Sequence, residues 1–280
     1  MTWKDKPADP SKKWLNKSLE IQLLLACNWD CCACDQGSQF SGFSWVKRGT
    51  LSIPQIEHFC GEMKTANAFF GRLRLVGGEP SLHRNVCQIV EMLHAELVVT
   101  GHAAEIEMVS NGSHLEKIAP IRHLMSRVRV SGEKAKQKHH TANLLHTPES
   151  LGYEGKMCNA PWHCGISLNY WGYFPCSSGA GVARFEDWMK WQRLTLPTCT
   201  RPCGAVRETW PDLQQLCNRC YHALRPEDKV KCGTSDPEKN APGEHIKPMI
   251  DAWKSGLVPD WPVYGVTEHA TELPQVPAAV

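Results

Sequence analysis

Between residues 19 and 131 short apolar runs alternate with amphipathic stretches, and this alternation constrains the fold more than any other feature. The run LEIQLLLA (19–26) reads as a buried strand. SIPQIEHFCGEMKTA (52–66) reads as a helix: Ser52 and Gln55 have capping-box spacing, and Ile56, Phe59, Cys60 and Met63 share one face. RLRLV (72–76) is a second strand, and RNVCQIVEMLHAEL (84–97) a helix with Val86, Val90, Leu93 and Leu97 inward. AEIEMVS (104–110) is a third strand, LEKIAPIRHLM (115–125) a helix interrupted at Pro120, and RVRVS (127–131) a fourth strand. Such alternation implies parallel strands joined by helical crossovers. Ligands of these folds gather beyond the carboxyl ends of the strands. Four segments fall there: ACNWDCCACDQ (26–36), GGEP (77–80), SNG (110–112) and Ser131.

The rest of the chain has a different character. Residues 132–157 are polar and hold His139, His140 and His146, read as a solvated loop, with acid–base work as the other reading. From 158 the chain is rich in cysteine, tryptophan and turn residues, and ISLNYWGYFP (166–175) reads as a hairpin with Gly172 in its turn. After about 236 proline and charge dominate, and ELPQVPAAV reads as a loose tail. The expected organisation is an N-terminal extension (1–18), an α/β unit (19–150), a cysteine-rich domain (151–235) and a C-terminal extension (236–280).

The opening MTWKDKPADPSKKWLNKS lacks the apolar core of a signal peptide, and no run approaches the roughly 20 apolar residues of a membrane span. A cytoplasmic protein is expected. Fourteen cysteines in 280 residues therefore point to metal or redox chemistry rather than to disulfides, with Cys60 and Cys87 read as packing residues. A net charge of +2 gives no drive toward nucleic acid or anionic membrane, and no basic, aromatic-interleaved patch stands out.

Cys27, Cys31 and Cys34 have the spacing C-x3-C-x2-C. Three thiolates on a tight loop can hold three irons of a [4Fe–4S] cube and leave the fourth iron open for chemistry. By spacing alone a zinc site or a chance triplet remains open. With GGEP following one helix later, and SNG and Ser131 at further strand ends, the sequence resembles the radical S-adenosylmethionine (radical SAM) superfamily from residue 19 to about 131, and in a different form to about 220.

The resemblance implies a shortened partial (β/α) barrel with a small cysteine-rich C-terminal domain. It implies that Cys27, Cys31 and Cys34 ligate the cluster, and that the Gly77–Gly78–Glu79–Pro80 turn holds the methionine part of SAM, with Glu79 paired to its ammonium. Ser110 and Asn111 would meet the carboxylate or ribose, and Ser131 the ribose. It further implies reductive cleavage of SAM to a 5′-deoxyadenosyl radical, fed by an electron donor such as flavodoxin or ferredoxin. Two departures stand out. Ala33 replaces an aromatic residue often found before the last cysteine, and Cys32 is an extra thiol, read as a spare.

Seven later cysteines, Cys158, Cys164, Cys176, Cys199, Cys203, Cys217 and Cys220, resemble the SPASM or twitch extensions of that superfamily, which carry auxiliary clusters. Their order departs from the full SPASM run. One auxiliary cluster is expected from Cys158, Cys164, Cys176 and a later cysteine; a second from Cys199, Cys217 and Cys220, with Cys232 as a candidate fourth ligand, stays open, as does a structural zinc at paired cysteines. The expected substrate is a small polar metabolite, such as a sugar or an aminoglycoside-like compound, undergoing oxidation or epimerisation. A peptide-modifying enzyme and a non-catalytic electron-transfer or binding protein are the alternatives. Only 26 residues precede Cys27, short for a leader-binding domain. Trp162, Trp171, Trp188 and Trp191 read as packing rather than as a sugar site.

Overall fold

The computed structural model describes residues 6–29, 34, 49–131, 147–163, 165–184, 188–228, 251, 255 and 261–265. Six strands form one open sheet: β1 (Lys13–Gln22), β2 (Ala68–Val76), β3 (Ile106–Ser110), β4 (Arg127–Val130), β5 (Ile166–Asn169) and β6 (Gly172–Phe174). Their spatial order is β4-β3-β2-β1-β5-β6. Strands β1 to β5 pair in parallel, and β6 returns antiparallel from β5. The four expected strands thus lie in sequential order. The hairpin of the cysteine-rich segment then joins the same sheet on the other side of β1.

Strand boundaries differ from the sequence reading: β1 ends at Gln22 rather than at residue 26, and β3 starts at Ile106 rather than at 104. β1 starts at Lys13, six residues early, because WLNKS continues the inward–outward alternation that ends in Gln22. β2 likewise starts at Ala68, within AFFG. Helix α1 (Ile53–Thr65) is opened by the capping box: the Ser52 hydroxyl accepts from the Gln55 N–H, and the Gln55 side chain accepts from the Ser52 N–H. Helix α2 (Val86–Leu93) buries Val86, Ile89, Val90 and Leu93, and runs into a wider turn (His94–Val98) that keeps Leu97 in the core. Helix α3 (Leu115–Ile118) tightens at Pro120, where an interruption was expected. The apolar sides of α1 and α2 join Leu19, Ile21, Leu73, Leu75, Ile106 and Met108 in one core.

The alternate positions of the strands are polar. Asn16, Ser18, Glu20 and Gln22 of β1 share this face with Arg72 and Arg74 of β2 and Glu107 of β3. Helices α4 (Ala160–His163) and α5 (Ser177–Ala183) belong to the segment fastened to it. Asn16 Nδ2 donates to the Pro161 carbonyl at 2.9 Å, and the Ser177 hydroxyl donates to Glu20. Between these contacts Gly165 (φ +91°) lies so close to β1 that a Cβ would stand 1.6 Å from the Ser18 carbonyl oxygen.

Helices α6 (Trp188–Trp191), α7 (Ala205–Thr209) and α8 (Leu213–Asn218) complete the described core. Part of the expected C-terminal extension belongs to that core as well. Trp261 stacks on Trp188 with centroids 4.1 Å apart, and Tyr264 is fully buried. Tyr264 is tied to α1 by its hydroxyl donating to Glu62 and by Gln55 Nε2 donating to its carbonyl at 2.8 Å. Its N–H donates to the Tyr170 carbonyl at 3.1 Å, which links the same residue to the hairpin. Trp171, Trp188 and Trp191 are buried, so they pack as expected. The tail ELPQVPAAV lies outside the described residues.

Replacing Gly165 by Ala forces a Cβ into backbone and strains a left-handed φ. Gly165→Ala is expected to cost about 3 kcal/mol or more, read as a lower urea midpoint at an unchanged m-value.

Candidate active site

The carboxyl ends of β1, β2 and β3 are joined by one carboxylate. Glu79 follows β2 in the GGEP turn and is fully buried. Its Oε1 accepts from the Ser81 N–H (3.0 Å), the Ser81 hydroxyl (2.6 Å) and the Ser110 hydroxyl (2.8 Å). Its Oε2 accepts from the Asn111 N–H at 2.6 Å. A carboxylate offers about four acceptor positions, and four protein donors meet this one. Three of these donors meet Oε1 and one meets Oε2, so Glu79 ties the protein's own loops together and Oε2 keeps a lone pair for a further donor, such as the ligand ammonium that the resemblance implied.

The two glycines before Glu79 also answer to the protein itself. The Gly78 N–H donates to the Leu24 carbonyl at 2.8 Å and the Glu79 N–H to the Ala26 carbonyl at 3.0 Å. A Cβ on Gly78 would stand 2.0 Å from the Ala26 oxygen, and one on Gly77 2.4 Å from that of Leu24. Glycine is required because the turn is laced to the strand end that delivers Cys27. Pro80 opens a tight turn capped by Glu79. His83 closes it from behind: its Nε2 lies 2.8 Å from the Leu51 carbonyl, and its Nδ1 accepts from the Asn85 N–H at 3.1 Å. Both bonds together specify the neutral ring with its proton on Nε2.

Asn111 links this turn to the first cysteine. Its Nδ2 donates to the Cys27 sulfur at 3.7 Å and to Asn28 Oδ1 at 2.9 Å. The Trp29 N–H also donates to the Cys27 sulfur, at 3.3 Å. The Ser131 N–H and hydroxyl both donate to the Ser110 carbonyl, at 2.9 and 3.2 Å. Cys27 and Cys34 are both half-buried. Cys31, Cys32 and Ala33 lie outside the described residues, as do His139, His140, His146, Cys164 and Cys232.

Arg184, just beyond α5, was missed by the sequence reading. It is 2% exposed and close enough to Cys34 for their charges to interact. Burial pushes its guanidinium down to about 10, against the opposing influence of Cys34. Below the strand ends a row of opposite charges crosses the polar face. Arg74 Nη1 meets Glu20 Oε1 at 2.9 Å, its Nε meets Glu107 Oε2 at 3.4 Å, and Arg72 Nη1 meets the same Glu107 oxygen at 3.3 Å. Burial pushes the Glu20 carboxyl up, opposed by the hydrogen bond from Ser177 and by Arg74.

The later cysteines divide into two places. Cys176, Cys217 and Cys220 are buried, and their charges interact with one another and with that of Cys158 around Cys176. Burial, and then Cys158, push the Cys217 thiol up to about 12. The structure thus brings Cys217 and Cys220 to Cys158 and Cys176, rather than to Cys199 as a second cluster would have it. Cys199 and Cys203 stand at the start of β1, where the Cys203 N–H donates to the Trp14 carbonyl at 2.8 Å and the Cys199 sulfur lies 3.7 Å from the same oxygen. Among the described residues no three Cys, His, Asp or Glu side chains are gathered as tightly as a single metal ion requires. Cys60 is buried in the core, while Cys87 is half-buried with its sulfur 3.3 Å from the Lys117 carbonyl. A cavity of about 670 Å³ lined by Glu149, Tyr153, Lys190, Trp191 and Arg219 lies along α8, away from the strand ends.

Comparison with known proteins bears on this layout. Residues 21–150 match the family model of the Radical SAM superfamily. Over 61 residues, 21% of this chain, the sequence is 44% identical to an S-adenosylmethionine-dependent nucleotide dehydratase of Fibrobacter sp. (strain UWH6). That match spans only 16% of the relative's length. Among solved structures, BtrN in complex with AdoMet and 2-DOIA aligns with a TM-score of 0.43 at 12% identity, covering 74% of this chain and 89% of that one. No helix among the described residues is long and apolar enough to cross a membrane.

Two outcomes follow from this geometry. Glu79→Ala leaves the N–H groups of Ser81 and Asn111 without their acceptor, and is expected to cost about 2–4 kcal/mol in urea unfolding. Burial holds His83 below its ordinary value of 6.5, so the unfolded chain takes up a proton first as the pH falls. Its stabilising contribution is full above pH 6.5 and is lost as the pH drops toward the folded value. The urea midpoint should fall between pH 7 and pH 5, and less steeply in His83→Gln.

Proposed function

We propose that the chain is a radical SAM enzyme that abstracts a hydrogen atom from a small polar metabolite, such as a sugar or an aminoglycoside-like compound, leading to oxidation or epimerisation. The observation that carries the enzyme reading is the junction at Asn111. One residue joins the GGEP turn, through Glu79, to the Cys27 sulfur, so three strand ends act as a single unit.

The residues fit a [4Fe–4S] cluster. The Cys27 sulfur already accepts two N–H groups, as a thiolate ligand would, and Arg184 places a buried cation near Cys34. Cys27, Cys31 and Cys34 would hold the cluster, and SAM bound there would supply a 5′-deoxyadenosyl radical. The protein's own part is to hold the loop in place, through Glu79, Asn111 and His83, and to keep water from the reacting carbon. Hydrogen bonds and positive charge at the thiolates favour the reduced cluster. An electron donor such as flavodoxin or ferredoxin would reduce it.

Cys158, Cys176, Cys217 and Cys220 would hold an auxiliary cluster. This grouping favours oxidation, because a second cluster offers the electron left after deprotonation somewhere to go. Cys199 and Cys203, at the far end of β1, take no part in this reading. A second reading, dehydration of a nucleotide, is favoured by the 61-residue likeness to the nucleotide dehydratase.

Anaerobically reconstituted protein should form 5′-deoxyadenosine from SAM under dithionite. Changing Cys27, Cys31 and Cys34 together to Ala should abolish this and remove about four irons, leaving iron–sulfur absorbance from the second half. A triple variant that binds only zinc would refute the auxiliary cluster. With substrate in deuterated water, oxidation gives a product lighter by two hydrogens. Epimerisation gives an otherwise unchanged product carrying deuterium, and dehydration a nucleotide lighter by one water.

A further inference from the structure

We infer that the Gln22 carboxamide and the Ser167 hydroxyl form a recognition patch for the neutral hydroxyl or carbonyl groups of a polyhydroxylated substrate, and not for a phosphate or carboxylate. The inference rests on the radical SAM reading and deepens it. Both side chains are fully buried on the polar face of the sheet, yet Gln22 Nε2 and Ser167 Oγ have no hydrogen-bond partner among the described residues. A buried polar atom left in this state is costly unless a ligand or an ordered water meets it.

The free donor is set by its surroundings. The Trp171 N–H donates to Asn169 Oδ1 at 2.9 Å. That bond fixes the Asn169 amide, so its Nδ2 donates to Gln22 Oε1 at 3.3 Å. Gln22 is thereby turned with its NH2 group as the unspent end. Ser167 lies in register with Glu20 on β1, one step below Gln22 on the same face.

Position and charge name the ligand. Gln22 pairs in register with Val76, the residue immediately before the GGEP turn, so the patch lies just beneath the strand ends that meet at Asn111. The cations next to it are already matched: Arg74 by Glu20 and Glu107, Arg72 by Glu107 and Ser18. A phosphate there would have to displace a buried carboxylate, whereas a hydroxyl or carbonyl needs only the donors on offer.

The test uses reconstituted holoenzyme and four probes: D-glucose, myo-inositol, glucose 6-phosphate and ATP. Wild-type protein that carries its irons yet forms no 5′-deoxyadenosine, even slowly without a probe, would refute the radical SAM reading itself. If that reading holds, the neutral compounds should accelerate 5′-deoxyadenosine formation, and the phosphorylated ones should not. Ser167→Ala should raise the half-saturating concentration of the neutral probe about threefold without lowering the melting temperature, since the deleted hydroxyl has no partner among the described residues. Gln22→Leu should raise it about tenfold or more. A response to glucose 6-phosphate or ATP alone, no response to either neutral compound, or unchanged half-saturation in both variants (a patch filled only by water) would each overturn the assignment.

Discussion

The Glu79 carboxylate holds the site together. It sits after β2, but its donors come from the turn itself and from the end of β3, and Asn111 passes the connection on to Cys27 after β1. A carboxylate with no exposure is tolerated because four donors meet it, three at Oε1 and one at Oε2, and hydrogen bonds to a charged group are about twice as strong as neutral ones. Three strand ends that would otherwise move as separate loops are thus locked into one surface. The glycines serve the same end, letting β2's exit press against β1's exit at distances no side chain permits.

The second organising fact is that β1 has a neighbour on each side. Its apolar positions face α1 and α2, as the sequence demanded, and its polar positions face the cysteine-rich segment. Ser177 donates to Glu20, and Cys176 directly precedes Ser177. One of the proposed auxiliary ligands, Cys176, is therefore next in the chain to the serine that bonds the charged row Glu20–Arg74–Glu107. Buried ion pairs of this kind contribute little net stability. Their value here is positional, since Glu20 of the row accepts from Ser177 just after the hairpin and ties that segment to β1.

Much of this was legible in the residues. The four strands and three helices follow from periodicity, and GGEP, SNG and Cys27 lie on one edge because each follows an apolar run. The earlier start of β1 was harder: WLNKS is polar at alternate positions and resembles a loop until the hairpin that covers those positions is seen. The charged row had a signal that went unused, namely Glu20, Arg74, Glu107 and Arg127 at matching positions of four successive strands. The grouping of Cys217 with Cys158 was not legible, because spacing along the chain says nothing about which turns a hairpin folds back onto. Nor was the burial of Tyr264, in a stretch whose proline and charge look like a tail.

Tyr264 closes on α1 across 209 positions of chain, through the hydrogen bond from Gln55. During synthesis the ribosome delivers α1 and the first cysteine loop long before residue 264 leaves the exit tunnel. At a synthesis rate of about 5–20 residues per second, the nascent chain waits on the order of ten seconds or more with that pocket on α1 unfilled. The half of the molecule that would carry iron is therefore translated, and its thiols are open to the cell, while the final clasp is still being made.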